Sequence, residues 1–420
     1  MARRHPAARW AAALAAAALL AGCTAGQPDS GLPASSASPL PDLPAGLDYQ
    51  EPTRQLGPDS PVRLHVLRVA PDARARVTAV HGTDLPNTET VRSLADAAGA
   101  LAAVNGTYFD IRTGRNHSGY EGDPIGLYAE HGRVLSEALS GRPALVLGYD
   151  AGRLVARVTE ASTTGRLRAA DGARRELDGV NRVAGRILGC GGTGGDRLAT
   201  TGEVQTEPAN GLCTDADEIV SYTPQWGART PPGPPGSTEA LLSSSGRVTR
   251  LRSPAGGPLP KGGGSLYGIG RGAAWLRVHA APGRPLAVSE RITDADGASL
   301  TGPVDTALGG SARLLRDGAV DADAERLGSR EPRTVAGVTA DGTLLLVVID
   351  GRAPGVSVGA TGPEAAELLS SLGAVDAVNL DGGGSTTAVV GGALRNSPRA
   401  TERERVTERP VADALVVLPR

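Results

Sequence analysis

The run from Leu344 to Ile349, "LLLVVI", has no polar side chain in it. Successive side chains of a strand point to opposite faces, so a strand with one wet face must alternate. A run that is apolar on both faces needs cover on both. It is bounded by Asp341-Gly342 before it and Asp350-Gly351-Arg352 after it. Asp-Gly favours a tight hairpin turn. The stretch "PRTVAGVTADGTLLLVVIDGR" (332–352) therefore predicts two strands, the second central and covered. Whatever this chain folds into has to lay further structure on either side of that strand.

The residues that follow supply a helix. In "TGPEAAELLSSLGA" (361–374), Thr361 and Glu364 have capping-box spacing. Ala365, Leu368, Leu369 and Leu372 share one face, and Gly373 stops the helix. "VDAVNLD" (375–381) reads as another strand, which sets Asp350 and Asp381 at the ends of buried strands. Earlier in the chain, "SPVRLHVLRVA" (60–70) alternates as a half-buried strand and "ARVTAVHG" (75–82) follows as a second. "TVRSLADAAGA" (90–100) has helical spacing, and "LAAVNGTYFD" (101–110) is a buried strand running into a polar loop. Hairpins are expected over 124–136, turning at His131-Gly132, and over 142–160, turning at Asp150-Ala151-Gly152. Residues 161–260 mix short strands with Gly and Pro, including an exposed loop at 230–237. "RPVADALVVLP" (409–419) closes the sheet. The fold class expected is α+β. It is a β-rich mixed sheet core with packed helices over residues 59–420, with 161–300 a less regular middle segment or insertion.

Composition narrows the function. Aromatic residues are only 3% of the chain, so a core must come from Val, Leu, Ala and Ile. The 58 Gly and 31 Pro favour many turns over a helical bundle. A net charge of −2 gives no broad basic field, which argues against nucleic acid as a partner. At the N-terminus, Arg3, Arg4 and Arg9 precede the short apolar stretch "WAAALAAAALLAG". It ends in Leu20-Ala21-Gly22-Cys23, similar to a bacterial lipobox, in which the peptide is cut before the Cys and the Cys takes lipid. This predicts a signal peptide over 1–22, lipidation at Cys23, a flexible tether over 23–58 and anchoring to the membrane outside the cytoplasm. In that oxidising compartment the two remaining cysteines, Cys190 and Cys213, are expected to pair.

Four strand ends gather residues that could carry chemistry: Asn105 to Asp110, Arg333-Thr334, Asp350-Gly351-Arg352, and Asn379 to Thr387. In "NLDGGGSTT" (379–387), Asp381 precedes Gly382, Gly383 and Gly384, which cost roughly 1 kcal/mol each against Ala in a regular element. Bare backbone there could offer N–H groups to an anion, and Ser385, Thr386 and Thr387 add hydroxyls. No Lys follows the glycines, so this is not a Walker loop; a Gly-rich turn or a loop-bound calcium is the competing reading. Arg333 and Arg352 each offer a planar donor fork suited to phosphate. His117 lies near the first cluster as a candidate acid or base, and "DADGAS" (294–299) fails the EF-hand pattern at Ala298.

Taken together, "VNGTYFD", "RTVAGVTADGTLLLVVIDGR", "NLDGGGSTT", "TALGGSARLLRDG" (306–318) and "RPVADALVVL" resemble the phosphodiester glycosidase family, over residues 100–136 and 300–418. One departure is that Thr107 and Tyr108 stand where the family more often has Gly and Phe. The resemblance implies hydrolysis of a sugar 1-phosphodiester at the anomeric C–O bond, on envelope or surface glycans. It implies Asp381 and Asp350 as catalytic carboxylates and Arg333, Arg352, Gly382 and Gly383 as phosphate ligands. Asn105, Asn379, Thr334 and Thr386 would position substrate. No cofactor is required by that chemistry, and a divalent ion such as calcium stays open. The alternatives are a non-catalytic sugar-phosphate or cell-wall binding lipoprotein, and a phosphodiesterase that cuts P–O.

Overall fold

The computed structural model describes residues 40–111, 122–190, 195–205 and 209–420. The expected signal peptide, Cys23 and His117 lie outside those residues. Within them the long antiparallel hairpins form where the turn chemistry allows. At His131-Gly132 both residues take positive φ, 50° and 72°, as a type I′ turn demands. The turn at Asp150-Ala151-Gly152 likewise joins Arg142–Asp150 to a strand that runs on to Ala169.

The apolar run at Leu344–Ile349 is buried throughout and central, as its composition requires. It pairs with Pro61–Val69 on one side and Arg333–Thr339 on the other; Ala374–Asn379 and Ala312–Arg316 extend the sheet. One face packs on the helix Gly362–Ser371, through Ala365 and Leu369 against Val335, Leu345 and Val347. That helix carries the capping box, with Thr361 accepting from the Glu364 N–H and Glu364 from that of Thr361. The other face, through Leu346, Val348 and Val378, meets Leu145 and Leu147 of a second sheet and Val104, Leu415 and Val417 of a third. That third sheet runs Ala393–Leu394, Ala388–Val390, Ala102–Asn105, Asp413–Pro419 and Ala75–His81. The helix Val91–Ala98 covers its far face.

Several expectations need correction. The central sheet is antiparallel throughout, not mixed; among the described residues the one parallel pair, Gly179–Val180 with Ile219–Tyr222, lies in a sheet of the middle segment. The tether does not extend to 58, because Leu47–Gln50 and Thr53–Gln55 pair with Pro61–Val69 and bury Leu47 and Tyr49. The middle is also more regular than its composition suggests. Thr238–Leu242, Gly264–Gly268 and their neighbours form a sheet of five strands. A third α-helix, Gly270–His279, lies on it through Ala273 and Leu276. Gly272 lets the helix come that close, since a Cβ there would stand 2.0 Å from the Glu218 carbonyl oxygen. Among the described residues no helix is long and apolar enough to cross a membrane.

Cys190 and Cys213 are bonded, 23 residues apart, across the pair of strands Ile187–Cys190 and Ala209–Thr214. Closing a loop of that length removes unfolded-state entropy worth about 3 kcal/mol. The Cys190→Ser, Cys213→Ser protein is expected to melt several degrees lower than the oxidised protein. An unchanged melting temperature would show that the staple stabilises nothing.

Candidate active site

The segment Leu380 to Thr387 joins the central sheet to the third sheet. The Leu380 N–H donates to the Thr334 carbonyl (2.9 Å) and the Asp381 N–H to the Gly106 carbonyl (3.1 Å). Asn105 locks the junction. Its Nδ2 donates to the Asp381 carbonyl (2.8 Å), and its Oδ1 accepts from Thr334 Oγ1 (2.5 Å) and the Thr387 N–H (3.0 Å). Asn105 and Thr334 are fully buried and spend these groups on each other and on backbone, so they position the strand ends and not a substrate.

Asp381 is 8% exposed. Its Oδ1 accepts from the Gly382 N–H at 2.9 Å, and the Ser385 hydroxyl also bonds it. Burial pushes the carboxyl up to about 7; Ser385, the Arg409 guanidinium and the Gly382 N–H oppose that, and buried Asp413 adds to it. Asp413 itself is raised to about 6, chiefly by burial, and is held by the Thr107 N–H (2.9 Å) and hydroxyl.

The three glycines make room for this chain's own groups. A Cβ on Gly382 would stand 2.9 Å from the Pro332 carbonyl oxygen. On Gly384 it would stand 2.2 Å from Arg409 Nη2, and on Gly383, which sits at φ 61°, 3.2 Å from Arg352 Nη2. The expectation that the Gly382 and Gly383 N–H groups bind phosphate is therefore corrected. The first is taken by Asp381 and the second donates to the Pro332 carbonyl at 2.8 Å. What the glycines admit beside the carboxylate is guanidinium.

The other predicted residues divide. Arg352 belongs to the cluster: its Nε pairs with Glu331 (2.8 Å), Nη1 donates to the carbonyls of Arg399 and Ala400, and Nη2 lies over Gly383. Arg333 does not. It is 6% exposed and donates to the carbonyls of Ala360 (2.5 Å) and Ser329 (2.7 Å), tying two loops together. Asp350 stands behind the site. It accepts from Asn396 Nδ2 (3.2 Å) and the Ser397 N–H (3.0 Å) and faces His65 Nε2 at 3.3 Å. Asn396 also donates to the Thr386 carbonyl (2.9 Å), so Asp350 braces the loop from within. Asn379 is fully buried, and its Nδ2 bonds Tyr108 Oη and Ser311 Oγ, each at 3.0 Å. Asn379 Oδ1 and Thr386 Oγ1 are buried without a partner, two orphaned oxygens close in sequence to Asp381.

Sequence reasoning passed over Arg409, Tyr108, Ser311 and Asp413. Asp413 opens the closing strand and Arg409 precedes it, where the apolar run drew attention. Tyr108 and Thr107 are the two departures noted above, and both have become connectors; Tyr108 is raised to about 12 by burial and by the Asp381 charge. Among the described residues no group of three or more His, Cys, Asp and Glu is placed to hold a metal ion.

Residues 238–418 match the family described as phosphodiester glycosidase, a span that includes every site residue named here except His65 and Asn105 to Tyr108. No protein in the curated collection matches the chain. Among solved structures, a candidate exported protein of Burkholderia pseudomallei K96243 is 32% identical. That match covers 86% of this chain and 74% of that one, at a TM-score of 0.74. A hypothetical protein from Synechocystis is 22% identical, covers 89% and 62%, and has a TM-score of 0.66, a likeness of fold. The zebrafish N-acetylglucosamine-1-phosphodiester alpha-N-acetylglucosaminidase catalytic domain, auto-inhibited by its pro-peptide, is 16% identical over 91% and 87%. Its TM-score of 0.43 is too low to argue from. By the match of its C-terminal part and the coverage of its 32%-identical relative, the chain belongs to the phosphodiester glycosidase family.

Proposed function

We propose that this protein hydrolyses sugar 1-phosphodiesters at the anomeric C–O bond, releasing free sugar and a phosphomonoester. One observation carries the reading: a buried carboxyl, Asp381, that burial pushes up to about 7, followed by glycines against which the guanidiniums of Arg352 and Arg409 lie. Cleavage builds positive charge on the sugar ring, which an ionised Asp381 stabilises as nucleophile, as base toward water or as counter-charge. The bond's electron pair leaves with phosphate, and in this reading Arg409, against Ser385 and Gly384, and Arg352, against Gly383, receive that charge. The orphaned oxygens of Asn379 and Thr386 suit hydroxyl groups of the substrate. Phosphate is a good leaving group, so the route relies less on a strong general acid than ordinary glycoside hydrolysis does.

The setting proposed is outside the cytoplasm, with lipid on Cys23 and an envelope or surface glycan as substrate. The name of the Burkholderia relative, a candidate exported protein, supports that location. Hydrolysis in 18O-labelled water tests the chemistry. Label is expected in the released sugar. Label in the phosphate would mean P–O cleavage, and binding without turnover across a panel of sugar 1-phosphodiesters would mean a non-catalytic binding protein.

A further inference from the structure

Tyr108 and Ser311, the two side-chain partners of Asn379, line a cavity of about 480 Å3. That is the size of a site for a small organic group. Its walls are apolar: Phe109, Ile125, Leu127, Leu139 and Leu188 among them. Ile111, also on the wall, is 64% exposed, unusual for a large apolar side chain. Among the described residues the one carboxylate on the cavity wall, Asp110, is paired with Arg186 at 2.6 Å. Polar groups gather at Tyr108, Ser311 and Arg142. Tyr108 Oη donates to Ser311 Oγ (3.0 Å), Asn379 Nδ2 donates to both, and Arg142 Nη1 donates to the Ser311 carbonyl (2.8 Å). Asn379 lies two residues from Asp381, whose charge reaches the Tyr108 phenol. The polar end of the cavity, at Tyr108 and Ser311, is thus hydrogen-bonded to Asn379, two residues from Asp381, and most of the rest of its wall is apolar.

Resting on the function proposed above, we propose that the cavity receives the second arm of the phosphodiester, the alcohol beyond the phosphate, and that this arm is apolar. The orphaned oxygens of Asn379 and Thr386, which suit a sugar's hydroxyls, belong to residues outside the cavity lining. A sugar or glycerol arm pushed between Leu127, Leu139 and Leu188 would lose water and gain almost no hydrogen bonds. An alkyl or aryl arm there gains with every carbon buried.

The test uses the full chain and glucose and N-acetylglucosamine 1-phosphodiesters with methyl, butyl, octyl and hexadecyl arms, against glyceryl and mannosyl arms. Released reducing sugar is followed. A buried methylene is worth at most about fourfold, so kcat/KM is expected to climb from methyl to octyl by about 50-fold or more. A plateau at octyl marks a short or aryl arm; a further gain with hexadecyl in detergent marks a membrane lipid. Glyceryl or mannosyl arms cleaved as fast as octyl would overturn the proposal while leaving the glycosidase reading intact. If no diester is turned over, calorimetry with octyl phosphate and glycerol phosphate decides the cavity by itself. Octyl phosphate binding about tenfold tighter supports it, and equal binding overturns it. Leu139→Asp, on a half-buried loop position, is expected to cut the octyl-to-methyl ratio about tenfold; an unchanged ratio counts against the assignment.

Discussion

The Asp381→Asn protein is expected to fold, to lose at least about a thousandfold in kcat, and to be more stable than the parent above pH 7. The loss of turnover follows from charge. In each role open to Asp381 the group must be ionised, and an amide carries no charge to set against the sugar cation. The gain in stability follows from burial, which lifts the carboxyl from its ordinary 3.8 to about 7 in the folded chain. The folded state therefore holds the proton more tightly than the unfolded state. Its contribution to stability is full below about pH 4 and is lost as pH rises through about 7, to a limit of roughly 4 kcal/mol. Asn has no proton to lose, and its Oδ1 can keep the Gly382 N–H. The melting temperature of the variant should exceed that of the parent by more at pH 8 than at pH 4. In the parent, kcat/KM should rise with pH through a midpoint near 7. A variant that turns over at more than a tenth of the parental rate would remove Asp381 from the centre of the reaction.

The segment around Asp381 was legible in sequence for reasons that do not extend to the rest of the site. Leu344–Ile349, the capped helix at Gly362–Ser371 and the strand Ala374–Asn379 are fixed by period and capping, which are local. So the position of Asp381 at a strand end could be read directly. The destination of a guanidinium could not be read. Arg333 opens a strand beside the site, yet its long side chain turns to the carbonyls of Ala360 and Ser329. Arg409, distant in sequence and placed before a strand that seemed merely structural, is the one that reaches Ser385. The glycines misled in the same way. Bare backbone was correctly read as a sign of close approach, but Pro332, Arg352 and Arg409 are what approach. The middle of the chain hid its helix because Gly270–His279 opens on two glycines and has no side-chain cap. Its short strands gain their stability from neighbours far along the chain, which no local pattern records.

The Arg409→Met protein separates an electrostatic role from a packing one. Arg409 lies against Gly384, 3.4 Å from Ser385 Oγ, and its charge lowers the Asp381 carboxyl against the effect of burial. Met keeps much of the side chain's bulk and removes the charge. If Arg409 stabilises the departing phosphate, kcat/KM should fall about a hundredfold or more, the usual cost of one donor aimed at developing charge. The midpoint of the pH profile should also move upward, since one of the groups holding Asp381 ionised is gone. Arg409→Lys restores a positive charge without the planar fork, so it should return the midpoint toward 7 and recover only part of the rate. Arg333→Met is the control: its guanidinium braces loops through backbone carbonyls, so its loss should lower the melting temperature and leave the midpoint where it was. A midpoint that ignores Arg409 and follows Arg333 would hand the phosphate back to the arginine that the sequence first suggested.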